Sequence, residues 1–265
     1  MRDKELIIIP AIPKSSSSRF ANCICDIQED NGGAGVRKYP PYMMLNNDSD
    51  LRPGIIKFFR RGGVLKYHIP PSGKNLKVLD DFGFRYIILF RHPADVITSI
   101  YCNSFNLIQN QGKNLRHSII HPINMKYFEN HDDMNTAINH LICDGYLNAV
   151  LLWMTDWVRY RNKDKSLVIR YEDVLSDRKN VFNGISGFFY GRFITKDVLD
   201  HINRRYSKKR KDDYRNYPKG WTGKVNTWRD YFSDDNIWRY NEKVNAFLGY
   251  YSSILESYYK DLVLR

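Results

Sequence analysis

Glu5-Leu-Ile-Ile-Ile-Pro-Ala-Ile-Pro-Lys14 runs directly into Ser15-Ser-Ser-Ser18, and the reading of this stretch decides the fold. A continuous apolar run without alternation suits a strand buried on both faces, as in a parallel sheet. The serines then read as a tight turn and the N-cap of a helix, because their hydroxyls accept from its first free N–H groups. A lysine at such a turn makes an anion cradle: backbone N–H groups, the positive end of the helix dipole, hydroxyls and an ammonium converge on one place. A Walker A loop sets its lysine after a glycine. Lys14 comes first with no glycine before it, which disfavours ATP or GTP. Taken alone, these residues fit a serine-capped helix beside a solvated lysine equally well.

The same pattern recurs further along. Phe84-Arg-Tyr-Ile-Ile-Leu-Phe90 reads as a second strand, and Arg91-His92-Pro93 opens a helix, where proline suits the first turn. Val96, Ile97, Ile100, Tyr101 and Phe105 follow at helical spacing. A longer amphipathic stretch over Gly145–Asn162 leads to a short strand, Ser166-Leu-Val-Ile-Arg-Tyr171, and Glu172-Asp173 open another helix. Strand–helix alternation predicts an α/β fold, a single domain over 1–265 with a central parallel sheet flanked by helices on both faces. Ligands on such a sheet sit at the carboxyl ends of strands, which puts Lys14, Arg91 and Tyr171 on one rim.

Composition narrows the classes. With 265 residues, 43% hydrophobic and 14% aromatic, the chain can bury a core, which excludes disorder as its main state. Apolar runs such as Leu6–Ile9 and Ala149–Met154 are too short to span a bilayer, and no secretory leader is visible before the first strand. Forty-one Lys and Arg against 29 acids, net +12, call for an anionic partner: nucleic acid, an acidic surface or a multiply phosphorylated small molecule. Cys23, Cys25, Cys102 and Cys143 have no metal-ligand spacing, so we expect no metal and a reduced, cytoplasmic protein.

Five segments together resemble the PAPS-dependent sulfotransferases of the cytosolic, small-molecule type, which use 3′-phosphoadenosine 5′-phosphosulfate (PAPS) and release the bisphosphate PAP. Pro13-Lys-Ser-Ser-Ser-Ser18 is similar to their Pro-Lys-Ser-Gly-Thr-Thr loop. Arg91-His-Pro-Ala-Asp-Val-Ile-Thr-Ser99 is similar to Arg-Asn-Pro-x-Asp-x-x-x-Ser, and Tyr171-Glu-Asp173 to Tyr-Glu-Asp. Lys66-Tyr-His-Ile-Pro70 resembles Lys-Thr-His-Leu-Pro, and Gly223-Lys-Val-Asn-Thr-Trp228-Arg-Asp-Tyr-Phe232 the family's Gly-x-x-Gly-x-Trp-x-x-x-Phe tail. The order is the family's, from Pro13 to Phe232.

The resemblance implies a P-loop-kinase-like fold and a set of roles. Lys14 contacts the phosphosulfate bridge, where negative charge develops as sulfur leaves, and Ser15, Ser16, Ser17 and Ser18 hold the 5′ phosphate. Arg91 and Ser99 bind the 3′ phosphate, a task suited to a planar guanidinium. Tyr171 lies near adenine. His68 is the general base, since imidazole titrates near neutrality, and Lys66 stabilises the transferring group. Ser16 stands where the family loop often has glycine, and Arg19 where many members stack a tryptophan on adenine; Arg19 or Phe20 takes that place here. Alignment on Trp228 assigns Thr222, Gly223 and Lys224 to the nucleotide, with Lys219-Gly220 as a competing register. The basic run Arg204–Lys211 reads as a solvated helix end, a phosphate-tracking patch or part of a nucleotide lid. The acceptor is a small molecule bearing a hydroxyl, less readily an amine; no nucleic acid or membrane partner is expected, and the oligomeric state stays open. A short chain rich in Lys and Asn suits a microbial tailoring enzyme. Two alternatives remain: a P-loop-like small-molecule kinase, for which no magnesium-holding acid is evident, and a basic nucleic-acid-binding protein.

Overall fold

Five consecutive residues without a side-chain charge or an exposed surface form the first strand, β1 (Leu6–Pro10). In the computed structural model, which describes residues 6–32, 50–51, 63–111, 133–207 and 224–264, β1 lies inside a four-stranded parallel sheet. Its partners are β2 (Gly63–Tyr67) on one side and β3 (Tyr86–Phe90) on the other, with β4 (Ser166–Arg170) beyond β3. The ladder places Ile7 against Val64 and Pro10 against Tyr67, and Tyr86 against Ser166 through Phe90 against Arg170. Proline cannot donate, so the pairing is carried past Pro10 by the Ala11 N–H to the Tyr67 carbonyl at 2.8 Å and the Ile12 N–H to the Leu89 carbonyl at 3.1 Å.

The chain packs into two compact units, Met1–Phe90 with Arg159–Lys209 and Arg91–Val158 with Arg210–Arg265. The first holds the sheet. One face of the sheet, with Ile7, Ile9, Val64, Ile87 and Leu89, packs on Phe20, Ile24 and Ile27 of α1 (Ser17–Asp30). Val174 of α6 (Tyr171–Ser176), Phe182, Ile185 and Phe189 of α7 (Arg178–Tyr190) and Ile202 of α8 (Lys196–Ser207) complete that core. Leu6, Ile8 and Ile88, of the opposite pleat, are buried too, so both faces of the sheet are covered, as uninterrupted apolar strands require. A short helix, α2 (Gly73–Asp81), capped by the Ser72 hydroxyl, separates β2 from β3.

Two readings change here. The Phe20 ring stacks on Phe182 at 5.9 Å deep in the core, so it is not available to a nucleotide. Arg205 is partly exposed but already paired: it donates to both carboxylate oxygens of buried Asp26, at 2.6 and 2.9 Å, clamping α8 to α1. The rest of the basic run, from Lys208, lies outside the described residues.

The second unit contains α3 (Pro93–Gln111), α4 (Met134–Cys143), α5 (Tyr146–Tyr160), a 3₁₀ helix (Thr227–Asp230) and α9 (Asp234–Glu256). A Ser233/Asn236 capping box starts α9, and the Asn236 amide reaches back to the Asn139 side chain of α4 at 2.8 Å. Asn241 holds both the N–H and the carbonyl of Leu264. Among the described residues no helix is long and apolar enough to cross a membrane. All four cysteines are free, and burial next to Asp26 pushes the Cys23 thiol up to about 12, which keeps it protonated and inert.

Replacing Asp26 with Ala strands the Arg205 guanidinium against α1, and the unfolding free energy should fall by about 2 kcal/mol or more. Urea titration of the two proteins checks this, and an unchanged midpoint would show that the pair contributes nothing.

Candidate functional site

The loop after β1 is held in an unusual shape. Lys14 and Ser16 both occupy the left-handed region, at φ 64° and 56°, where a side chain costs on the order of 1–2 kcal/mol per residue. Ser16 therefore meets the demand that glycine meets elsewhere by accepting strain. This twist overturns the expected serine cap: Ser16 precedes α1, but its hydroxyl makes no capping bond. Its carbonyl instead accepts from the N–H groups of Arg19 and Phe20, at 3.0 and 3.1 Å. Ser15 is fully buried, and its hydroxyl has no hydrogen-bond partner. A buried orphan hydroxyl costs about 1–3 kcal/mol, and in a loop of this kind it fits a site built for an anion that supplies the missing acceptor.

The end of β2 comes to the same loop. The Lys66 ammonium donates to the Ser18 hydroxyl at 3.2 Å, and burial pulls its pKa down. Two residues on, His68 Nδ1 lies 2.7 Å from the Ala11 carbonyl oxygen. A carbonyl only accepts, so Nδ1 carries the proton and Nε2 keeps its lone pair. Burial first, then the Lys66 and Lys14 charges, pull the imidazole from 6.5 down to about 3, against the opposing effect of the Ala11 bond. His68 is thus neutral at any physiological pH.

The flanking candidates are placed less uniformly. The Arg19 guanidinium lies over the Tyr206 ring at 5.5 Å, and Arg178 covers the same ring at 4.7 Å. Tyr171, the first residue of α6, is fully buried; its ring is part of the packing and shows no exposed face to a base. Ser17 is buried at the start of α1.

The second unit gathers another group. Arg91, which follows β3, and Ser99, two turns into α3, are only 4% and 6% exposed. Arg91 Nη2 donates to the Lys224 carbonyl at 2.9 Å, so residues 133 positions apart meet. Asp95, absent from the candidates read in the sequence, makes this possible. Its buried carboxylate accepts from the Asn226 N–H at 2.9 Å, the Thr227 hydroxyl at 2.8 Å and the Trp228 N–H at 3.2 Å. Asp95 belongs to the quoted Arg91–Ser99 segment, but nothing local to it signals partners so far along the chain. Trp228 is buried, with the Arg229 guanidinium 4.5 Å from its ring and Phe232 at 6.1 Å. Thr222 and Gly223 lie outside the described residues, as do Lys219 and Gly220. Among the described residues no three His, Cys, Asp or Glu side chains gather as a metal site.

Comparison with known proteins identifies the group. The sulfotransferase domain family matches residues 58–249, an interval that contains Lys66, His68, Arg91, Asp95, Ser99, Tyr171 and Lys224. No curated protein sequence is similar enough to count as a match. Among solved structures, mouse sulfotransferase SULT7A1 complexed with PAP superimposes with a TM-score of 0.57 at 17% identity, covering 95% of this chain and 89% of its own. Retinol dehydratase, in complexes with androsterone and the inactive cofactor PAP and with retinol and PAP, gives a TM-score of 0.60 in each case at 17% identity. Those alignments cover 91% and 94% of this chain and 80% and 82% of the other. At that identity the likeness establishes the fold, the α/β architecture of these enzymes.

The depressed His68 pKa carries a sign. On acidification the unfolded chain takes up the imidazole proton first, so this stability is complete above about 6.5 and is lost as pH falls from there toward about 3. The slope is at most about 1.4 kcal/mol per pH unit. Between pH 6.5 and 5, denaturant titrations should show the wild type losing stability more steeply than His68→Gln. Equal slopes would mean that the imidazole titrates as freely in the folded chain as in the unfolded one.

Proposed function

The chain belongs to the sulfotransferase family, and from that membership we propose that it moves a sulfuryl group from PAPS to a hydroxyl of a small-molecule acceptor, with His68 as base and 1–265 acting as one sulfotransferase domain. The observation that carries this reading is the convergence of β2 on the loop after β1. Lys66 on Ser18 and His68 on Ala11 bring a cation and an oriented imidazole to a strained loop with an orphan hydroxyl. Neighbouring structures bind PAP, retinol and androsterone, which supports a nucleotide of this class and a small apolar alcohol as the acceptor type; an amine is the less favoured nucleophile.

In this reading the acceptor oxygen attacks sulfur and gives its proton to His68 Nε2. The bond from sulfur to the bridging oxygen breaks in line, and its electron pair stays on the phosphate of PAP. Lys14 and Lys66 stabilise the charge that develops on the bridging and equatorial oxygens, so no step needs a metal. Ser15, Ser16, Ser17 and Ser18 take the 5′ phosphate, Arg91 and Ser99 the 3′ phosphate, with Thr222, Gly223 and Lys224 beside it. Arg19 supplies the plane against adenine, while Tyr171 supports that side from within the core. A base near 3 holds a proton poorly. Because Lys14 and Lys66 contribute to that depression, an anion that engages both ammonium groups raises the imidazole toward a useful range. Four free cysteines support a reducing, cytoplasmic setting.

Calorimetric titration with PAP, beside ADP and AMP, tests the assignment. PAP should bind tightly, ADP weakly, and Arg91→Ala should weaken PAP roughly tenfold or more by removing a charge-assisted contact. Equal or stronger binding of ADP would sink the proposal and restore the kinase reading. Binding of none of the three would leave the net charge of +12 to a nucleic-acid surface.

A further inference from the structure

Arg91 and Ser99 explain the Arg91–Ser99 segment only in part, since the Asp95 side chain within it accepts three hydrogen bonds. We propose that Asp95 is a positioning residue that fixes Arg91 for the 3′ phosphate by holding the Lys224–Trp228 turn against it; this rests on the function proposed above. Asp95 is fully buried in the first turn of α3. Its Oδ2 accepts from the Asn226 N–H, and its Oδ1 accepts from the Thr227 hydroxyl and the Trp228 N–H. Asn226 precedes the 3₁₀ helix in a left-handed conformation, φ 58°, and makes no side-chain cap. The carboxylate from α3 therefore does what the local cap does not, satisfying main-chain donors on both sides of Thr227.

The consequence for Arg91 follows from chain geometry. Fixing Asn226 also fixes the Lys224 carbonyl two residues earlier, and that carbonyl receives Arg91 Nη2 at 2.9 Å. The direct approach of Asp95 Oδ2 to Arg91, at 3.9 Å, is too long for a hydrogen bond. The carboxylate thus orients the guanidinium mainly through the turn. A planar fork recognises phosphate oxygens by direction as well as charge, so loosening the turn should harm the ligand that carries a 3′ phosphate and spare one that lacks it. An amide cannot replace this carboxylate. Both of its oxygens face donors, and an Asn at this position would turn an NH₂ group toward one of them.

The test is the ratio of PAP to ADP affinity, read by calorimetry with thermal unfolding as the folding control. Asp95→Asn should weaken PAP roughly tenfold while ADP stays within about twofold. Thr227→Val, which removes one of the three donors, should weaken PAP about threefold, and Thr227→Ser, which keeps the hydroxyl, should match the wild type. Unchanged PAP binding by Asp95→Asn, or an equal loss for PAP and ADP, would overturn the proposal, the second outcome by showing only general damage. If Asp95→Asn does not fold, the Thr227 pair decides, and equal PAP affinities for Val and Ser would overturn it. A wild-type protein that binds no PAP at all would instead fail the function proposed above and take this inference with it.

Discussion

The burial of β1 on both faces is the constraint from which the rest follows. A strand with no polar side chain must have a neighbour on each edge and a covered face above and below. β2 and β3 supply the edges, and α1, α6, α7 and α8 cover one face. Ala11, just past the strand, donates its N–H to Tyr67 and offers its carbonyl to His68. The strand that organises the hydrophobic core thereby also fixes the tautomer of the candidate base. Packing and chemistry meet at one residue.

Several local choices run against stability. Two departures into the left-handed region, at Lys14 and Ser16, an orphan hydroxyl at Ser15 between them and a Lys66 ammonium with a depressed pKa all lie within one loop and the adjoining strand end. Each is unfavourable in the free chain, and in the function proposed above an anion offsets the orphan hydroxyl and the buried ammonium by bringing acceptors and negative charge. Strain and desolvation gathered in one place fit a binding site better than a purely structural turn. In the second unit the left-handed Asn226 is held by a buried carboxylate instead: Asp95 accepts from the Asn226 N–H, the Thr227 hydroxyl and the Trp228 N–H, and the result is orientation.

Much of the fold was legible because its strands differ sharply from their surroundings. β1, β3 and β4 are short apolar runs ended by Lys, Arg or Tyr, and the helices after them carry a regular apolar stripe. β2 was not legible as a strand. Gly63-Val-Leu-Lys-Tyr67 has only two aliphatic residues, and its membership of the sheet depends on pairing with β1 rather than on its own preference. The serine cap was misread for a related reason, since residue type favours capping but backbone conformation decides it. Phe20 and Arg205 looked available for a ligand because sequence shows charge and aromaticity but not the partner, Phe182 or Asp26, that has already claimed them.

By itself the sequence determined the fold class and the family, and it singled out the side chains of the proposed site, because periodicity and motif spacing are local properties. Tertiary structure alone decided which nitrogen of His68 is open, that Lys66 reaches Ser18, that Tyr171 is core, and that Asp95 governs a turn 131 residues away. These depend on contacts between segments brought together by the core, and no short-range pattern encodes the partner at the far end of such a contact.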